Sequence, residues 1–274
     1  MNLVWAAVIV ILATALTVTA MLLVRRRAPA GSYFTDGDRA SGVFGVLATG
    51  FSVILGFIIF LAFSSYDASR TGAESEATIV SQQVETAQFL PAPADRQLTG
   101  ELACYARYVA GPEWDAVAAG TLGDAINPWG ARMFHTMSSL HPRSPTEQSA
   151  YDRWMEQTAA REQARVDRVH GAEGIIPGPL WGVLFVISAV LFIYLLFFAD
   201  SAEGRVTQGV LMGSVTVVVS LLLMLLVLFN NPHGDGVGQL RPTAMERTLR
   251  LLDAQAVAAR ITVSPPCDAH GRPH

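Results

Sequence analysis

Six histidines and two cysteines are the side chains of this chain best suited to hold a metal or carry a nucleophilic reaction, and their spacing supports neither. Only His270 and His274 are four residues apart, with Cys267 three residues ahead of them. A helix would bring two such rings onto one face, but Gly271 and Pro273 keep that segment from being helical. His135, His141, His170 and His233 stand alone and read as surface residues. Cys104 and Cys267 make no C-x-x-C pattern, so a structural zinc site is unsupported. A disulfide between them needs an oxidising compartment and a meeting in space, and the sequence leaves it open. Carboxylates cluster at Glu74, Glu76 and Glu85, and again at Glu147, Asp152, Glu156 and Glu162. On amphipathic helices such clusters mark the solvated face. Arg153 with Glu156, and Glu162 with Arg165, have the spacing of ordinary surface pairs. There is no glycine-rich phosphate loop and no G-x-S-x-G elbow. The expectation is a protein without metal, cofactor or catalytic constellation, and not an enzyme.

A net charge of −4, with Arg25-Arg26-Arg27 as the one basic cluster, leaves no nucleic-acid footprint. What remains is the chemistry of four apolar runs, Leu3–Val24, Gly42–Phe63, Gly178–Phe198 and Gly209–Phe229, none of which holds an Asp, Glu, Lys, Arg or His. Each is about the ~20 residues a helix needs to cross a bilayer, so the lipid bilayer is the first partner. Proton relays and voltage sensors place ionisable groups inside the membrane, and these runs have none. They carry instead hydroxyl and small residues. Gly45, Thr49, Ser52 and Gly56 recur at helical spacing on one face of the second run. Such residues serve close helix packing or line a weakly polar pore, where hydroxyls donate hydrogen bonds to a dehydrated anion.

The elements that must position them form an all-α membrane protein. It has four transmembrane helices in two pairs, with an extramembrane helical bundle between the pairs. The expected organisation is 1–63 for the first two spans and their Arg-rich loop, 64–176 for the helical domain, and 177–230 for the third and fourth spans. Residues 231–274 follow as a tail. The second membrane helix is expected to run on through Glu74–Phe89, with Gly72 as a tolerable weak point, until Pro91 and Pro93 stop it. A helix bearing Leu98, Leu102, Tyr105, Tyr108 and Val109 is expected to end at Gly111-Pro112, and a shorter one covers Trp129–Leu140. Ser144-Pro145-Thr146-Glu147 is a capping-box start for a helix through Arg168. In the tail, Met245, Leu249, Leu252 and Ala256 line one face of a helix over Ala244–Arg260, and the final dozen residues are expected to be disordered. The first run lacks a basic n-region and is too long for a cleavable signal peptide. With three Arg after it and none before, the first helix leaves its N-terminus outside. The large domain and C-terminus are then extracytoplasmic too.

Several short motifs are specific in combination. After the second run come Ser65-Tyr66-Asp67-Ala68-Ser69-Arg70 and Glu74-Ser75-Glu76-Ala77, then Phe89-Leu90-Pro91, Tyr105, Tyr108-Val109 and Glu113-Trp114. Pro145-Thr146-Glu147-Gln148 with Tyr151 follows, then Pro179-Leu180-Trp181 opening the third span, and Asn230-Asn231-Pro232-His233-Gly234 closing the fourth. From Gly42 to Leu252 the chain resembles the bestrophin-like family of bacterial four-helix membrane proteins. In that family the segment after the fourth span usually reads Asp-Arg-Pro-Phe-x-Gly. Here Asn230, Pro232 and Gly234 mark the loop, and the acidic and aromatic positions have changed, so no role that depends on that charge carries over.

The resemblance implies kinship with bestrophins, which are oligomeric anion channels with four membrane helices per subunit. It implies a homo-oligomer with an anion-permeable pore, and the spacing along one face offers Gly45, Thr49, Ser52 and Gly56 as the residues to line it. It also implies termini and domain in the cytoplasm, against the orientation that the Arg triplet gives. The alternative is a non-conducting membrane scaffold or sensor whose helical domain binds an envelope protein partner.

Overall fold

The computed structural model describes residues 3–121, 127–170, 174–234, 236–259 and 264–274. Helices account for all the regular structure among them except one isolated bridge between Cys267 and Pro273. The chain forms two compact units. The first comprises Met1–Ser65, Gly174–Asn231 and Asp235–Gly238, and the second Tyr66–Glu173, Pro232–Gly234 and Gln239–His274.

The first unit holds α1 (Leu3–Arg25), the opening part of α2 (Gly37–Ala87), α7 (Gly178–Phe197) and α8 (Arg205–Asn230). These four helices are long and apolar enough to cross a membrane. A backbone in hydrocarbon must satisfy its own hydrogen bonds, which is why long helices form there. At most 22% of any span's most apolar stretch is buried within the chain, so most of their surface is left for lipid or another copy. α1 packs along α8, joining the first span to the fourth rather than to its sequence neighbour. Gly209 and Gly213 of α8 lie under Val18, and Thr17 Oγ1 meets Thr216 Oγ1 at 2.8 Å. Phe51, Leu55, Ile58 and Ala62 of α2 form a core with Leu184 and Leu191 of α7 and Leu226 of α8. At one end of the unit, Phe34, Phe44, Tyr194 and Phe198 form an aromatic cluster. Beside it Arg25 donates to the carbonyls of Ser201 and Glu203, and Asp200 accepts from the backbone of Gly31 and Ala202.

α2 is 51 residues long, roughly 77 Å at ~1.5 Å per residue, and contributes to both units. Its run past the membrane segment follows the sequence expectation, but Gly72 is no weak point. A Cβ there would lie 2.5 Å from Arg168 N and 2.8 Å from Ala164 O, because α6 (Pro145–Val169) crosses α2 backbone to backbone at that residue.

In the second unit α2 and α6 pack with α3 (Ala94–Tyr108), α4 (Trp114–Ala118), α5 (Pro128–Ser138) and α9 (Thr243–Ala259). Val80, Val84, Leu98, Leu102, Trp129, Met133, Trp154 and Met245 fill the core. α6 starts as its capping box predicts, Ser144 Oγ accepting from Glu147 N at 3.2 Å. Gly111-Pro112 does not end the preceding helix. The chain widens there into a π-helical turn, Val109–Glu113, and continues as α4. A widened turn tolerates a proline that lacks its N–H. α9 lays Met245 into the core, and Thr248 Oγ1 donates to Ala77 O at 3.2 Å. The side chain of Ala256 lies outside the described residues.

The end of the chain corrects the expectation of disorder. Cys104 and Cys267 form a disulfide. Trp129 Nε1 donates to Gly271 O at 2.6 Å, and Asp268 accepts from the backbone of His270 and Arg272. Gly271 has φ +75° and sits against α3, where a Cβ would lie 2.6 Å from Cys104 O. Prolines kept this segment from being a helix; covalent and backbone ties order it all the same. Cys267 is thereby no metal ligand, and among the described residues there is no group of three or more His, Cys, Asp or Glu that could hold a metal.

Candidate functional site

Gly45, Thr49, Ser52 and Gly56 are all exposed on α2 in the single chain. A Cβ built on Gly45, Gly50 or Gly56 would meet nothing within 4 Å. The face that helical periodicity selects is therefore not consumed by packing among the described residues of the same protomer. Ser52 turns toward a cavity of about 280 Å³ that it shares with Ser188 of α7 and Ser214 of α8, walled by apolar side chains such as Phe51, Phe192 and Val218. Each hydroxyl already donates to its own helix, Ser52 to Ala48 O at 2.8 Å, Ser188 to Leu184 O at 2.8 Å and Ser214 to Leu211 O at 2.9 Å. They offer lone pairs rather than protons, so the cavity suits apolar groups better than an anion.

The loop that closes the fourth span splits between the units. Asn230 Oδ1 accepts from Ile175 N at 3.0 Å and Ile176 N at 2.9 Å, tying the entry of α7 to the end of α8. Pro232 O accepts from Leu240 N at 2.7 Å. Gly234 leaves room for Gln239, whose amide nitrogen lies 2.5 Å from where a Cβ would be.

The charged chemistry is buried in the second unit, where sequence reasoning missed it. Glu76 lies one turn before Val80 on α2's buried stripe and is 0% exposed. It accepts from Arg168 Nε at 2.5 Å and from Tyr105 OH at 2.5 Å. Glu113, set by the π-helical turn, accepts from Arg168 Nη2 at 2.7 Å, Arg165 Nε at 2.8 Å and Asn127 Nδ2 at 3.1 Å. Arg161, two turns before Arg168 on α6, donates to Gln83 Oε1 at 2.9 Å and lies over the Tyr105 ring. Two buried carboxylates thus balance the buried Arg168 and the partly exposed Arg165. Burial alone would lower the Arg168 pKa, but Glu76 and Glu113 raise it, so it stays charged. Burial and then the Glu76 charge push Tyr105 well above its usual value.

Two readings are corrected here. Glu76 is not on a solvated face, and Arg165 pairs with Glu113 while Glu162 takes Arg161. The Arg153–Glu156 pair does form on the surface, at 3.4 Å. The missed signal was periodic: Glu76 is in register with Val80, Val84 and Ala87, as Arg161 and Arg168 are with Trp154 and Ala164.

His233 is not a surface residue either. It is 1% exposed, its ring edge-on to Trp114 with centroids 5.2 Å apart. Neither ring nitrogen finds a hydrogen-bond partner among the described residues, and neither does Arg168 Nη1. Burial, and then the positive charge of Arg168, lower its pKa to about 4.

A sequence model of a known family, the Bestrophin-like domain, matches residues 7–245. No curated protein matches the chain. A crystal structure of a bacterial bestrophin homologue from Klebsiella pneumoniae, carrying a substitution, superposes with a TM-score of 0.68 at 15% identity, covering 90% of this chain and 99% of that one. A second variant of it gives 0.69 at 14% identity, with the same coverages of 90% and 99%. A crystal structure of a membrane protein gives 0.66 at 12% identity, covering 89% of this chain and 98% of the other. At such identities these likenesses speak to the fold alone.

Proposed function

This chain belongs to the Bestrophin-like family, and from that premise we propose that it forms an oligomeric, anion-permeable channel lined by the exposed face of α2. The observation that carries this reading is the open face itself. A Cβ added at Gly45 or Gly56 would meet nothing within 4 Å, and Thr49 and Ser52 are exposed beside them, on a helix that is otherwise apolar through its span. Small residues let identical helices approach around an axis, and hydroxyls there replace part of an ion's hydration. The proposal keeps the organisation expected from the sequence, two pairs of spans with the helical bundle between them along the chain.

The test is anion efflux from liposomes holding the purified protein, beside a variant carrying Thr49→Leu and Ser52→Leu. Flux that the variant loses supports the pore. No flux from a folded, inserted oligomer over a broad range of pH, calcium and voltage removes it. One observation favours the second reading, a non-conducting scaffold or sensor with an envelope partner: the three serines of the membrane cavity spend their protons on their own helices.

For orientation, the proposal is that the N-terminus, the second unit and the tail are extracytoplasmic. Two independent features support it. Arg25-Arg26-Arg27 follows the first span, and cytoplasmic loops are the Arg-rich ones. The buried Cys104–Cys267 disulfide belongs to the second unit, and disulfides persist in oxidising compartments. This is opposite to the orientation that kinship with bestrophins implies. Membrane-impermeant labelling of a cysteine placed at Arg153, which is exposed, decides it in whole cells. Labelling from outside supports this orientation, and protection until the cells are lysed reverses it.

A further inference from the structure

Two buried side chains of the second unit with unpartnered nitrogens, His233 and Arg168, lie against one ring, while a third, Arg161 with its Nε, lies over Tyr105. His233 lies against Trp114 at 5.2 Å between centroids, and Arg168 Cζ lies 5.9 Å from the centroid of the same ring. Three nitrogens there, His233 Nδ1, His233 Nε2 and Arg168 Nη1, have hydrogen-bonding capacity to spare. Buried polar groups in native proteins are paired in the great majority of cases, so three unpartnered nitrogens on side chains that share the Trp114 ring mark a place for a small polar occupant.

The donor inventory defines that occupant. A guanidinium nitrogen only donates, and the other nitrogens of Arg168 are engaged by Glu76 and Glu113. The partner of Nη1 must therefore be an acceptor. A neutral imidazole has one donor and one acceptor, which a water molecule satisfies. A protonated imidazole has two donors and no acceptor, and beside Arg168 Nη1 its complement is an anion. Charge balance points the same way. Glu76, Glu113 and Glu162 already offset Arg161, Arg165 and Arg168, so an anion arriving alone would leave an uncompensated buried charge. An anion arriving with a proton leaves none. Arg168 of α6 and Trp114 of α4 face His233; Glu76 of α2 and Glu113 of the π-helical turn reach Arg168 instead, and Arg168 is the charge that acts on the imidazole.

We propose that Arg168, His233 and Trp114 form a site for one small monovalent anion, a halide, taken up together with a proton on His233. The balance is one anion and one proton in, no net charge. It is a binding equilibrium within one protomer and does not rest on the channel reading.

The test uses the full chain in detergent, with bromide as the probe. Adding bromide to the weakly buffered protein near pH 5 takes up protons, and the uptake fades toward pH 8. Each tenfold rise in bromide moves the apparent pKa of His233 upward by up to about one unit, as linkage requires. His233→Phe, which keeps a ring against Trp114, loses the uptake, and His233→Gln loses it too if the first variant folds poorly. Anomalous scattering from crystals grown in bromide puts the ion beside Arg168 Nη1. Equal proton uptake in wild type and the His233 variants overturns the proposal. So does the absence of bromide at Arg168, which leaves water as the bridge.

Discussion

Replacing Glu76 by glutamine tests whether the buried charges hold the second unit together. The Glu76 side chain is 0% exposed, and its carboxylate accepts from Arg168 Nε at 2.5 Å, Arg168 Nη2 at 3.4 Å and Tyr105 OH at 2.5 Å. Glutamine keeps the shape, removes the charge, and turns one of the two acceptor atoms into a donor that faces other donors. Arg168 keeps Glu113, but it remains buried with half of its counter-charge gone. Breaking a buried pair by removing one partner costs about 3–5 kcal/mol, mostly because the surviving charge stays desolvated. The built-in comparison is Arg153–Glu156, whose side chains are 60% and 72% exposed; Glu156→Gln there costs about 0.5 kcal/mol or less. The double variant Glu76→Gln with Arg168→Met removes both charges and leaves Glu113 with Arg165. It is expected to cost about 2 kcal/mol less than the sum of the single changes. The assay is denaturant unfolding in micelles, followed by tryptophan fluorescence and helicity. Equal losses for Glu76→Gln and Glu156→Gln, or strict additivity in the cycle, would refute the argument that this pair is coupled and structural.

Gly72→Ala forces α2 and α6 apart, since its Cβ would lie 2.5 Å from Arg168 N; a loss of about 3 kcal/mol or more is expected in the same unfolding assay, against nearly none for Gly182→Ala, whose Cβ would meet nothing within 4 Å. His233 makes stability fall with acid: its folded pKa of about 4 is below the ordinary ~6.5, so the unfolded chain takes the proton first. In halide-free gluconate buffer, about 3 kcal/mol is lost as pH falls from ~6.5 toward ~4, and His233→Phe flattens that part of the profile. Cys104→Ser opens a loop with a sequence separation of 163, for which chain entropy gives about 5 kcal/mol and native disulfides typically give about 2–5. Limited proteolysis should then cut the freed tail near Arg272 while α1 and α8 stay intact.

The sequence by itself determined the four apolar helices, the run of α2 past the membrane and the α6 cap. Each of these follows from local composition, because a span must close its own backbone hydrogen bonds and a cap involves residues three apart. The face bearing Gly45, Thr49, Ser52 and Gly56 was legible for the same reason, since a helix fixes which residues share a side. Partners far apart in the chain were not legible. Glu74 and Glu76 look alike in sequence, yet the approach of α6 at Gly72 puts Glu76 in the interior and leaves Glu74 exposed. Arg165 had Glu162 within reach on its own helix and took Glu113, 52 residues away. Gly111-Pro112 read as a stop, and the fold widened it into the π-helical turn that holds Glu113. His233 read as a loop residue, and packing on Trp114 buried it. The tail read as disordered until Cys267 met Cys104 and Gly271 met α3. Burial and pairing depend on which surfaces meet, and only the tertiary structure decides that, because the desolvation that makes a charge or a ring matter is a property of the assembled interior.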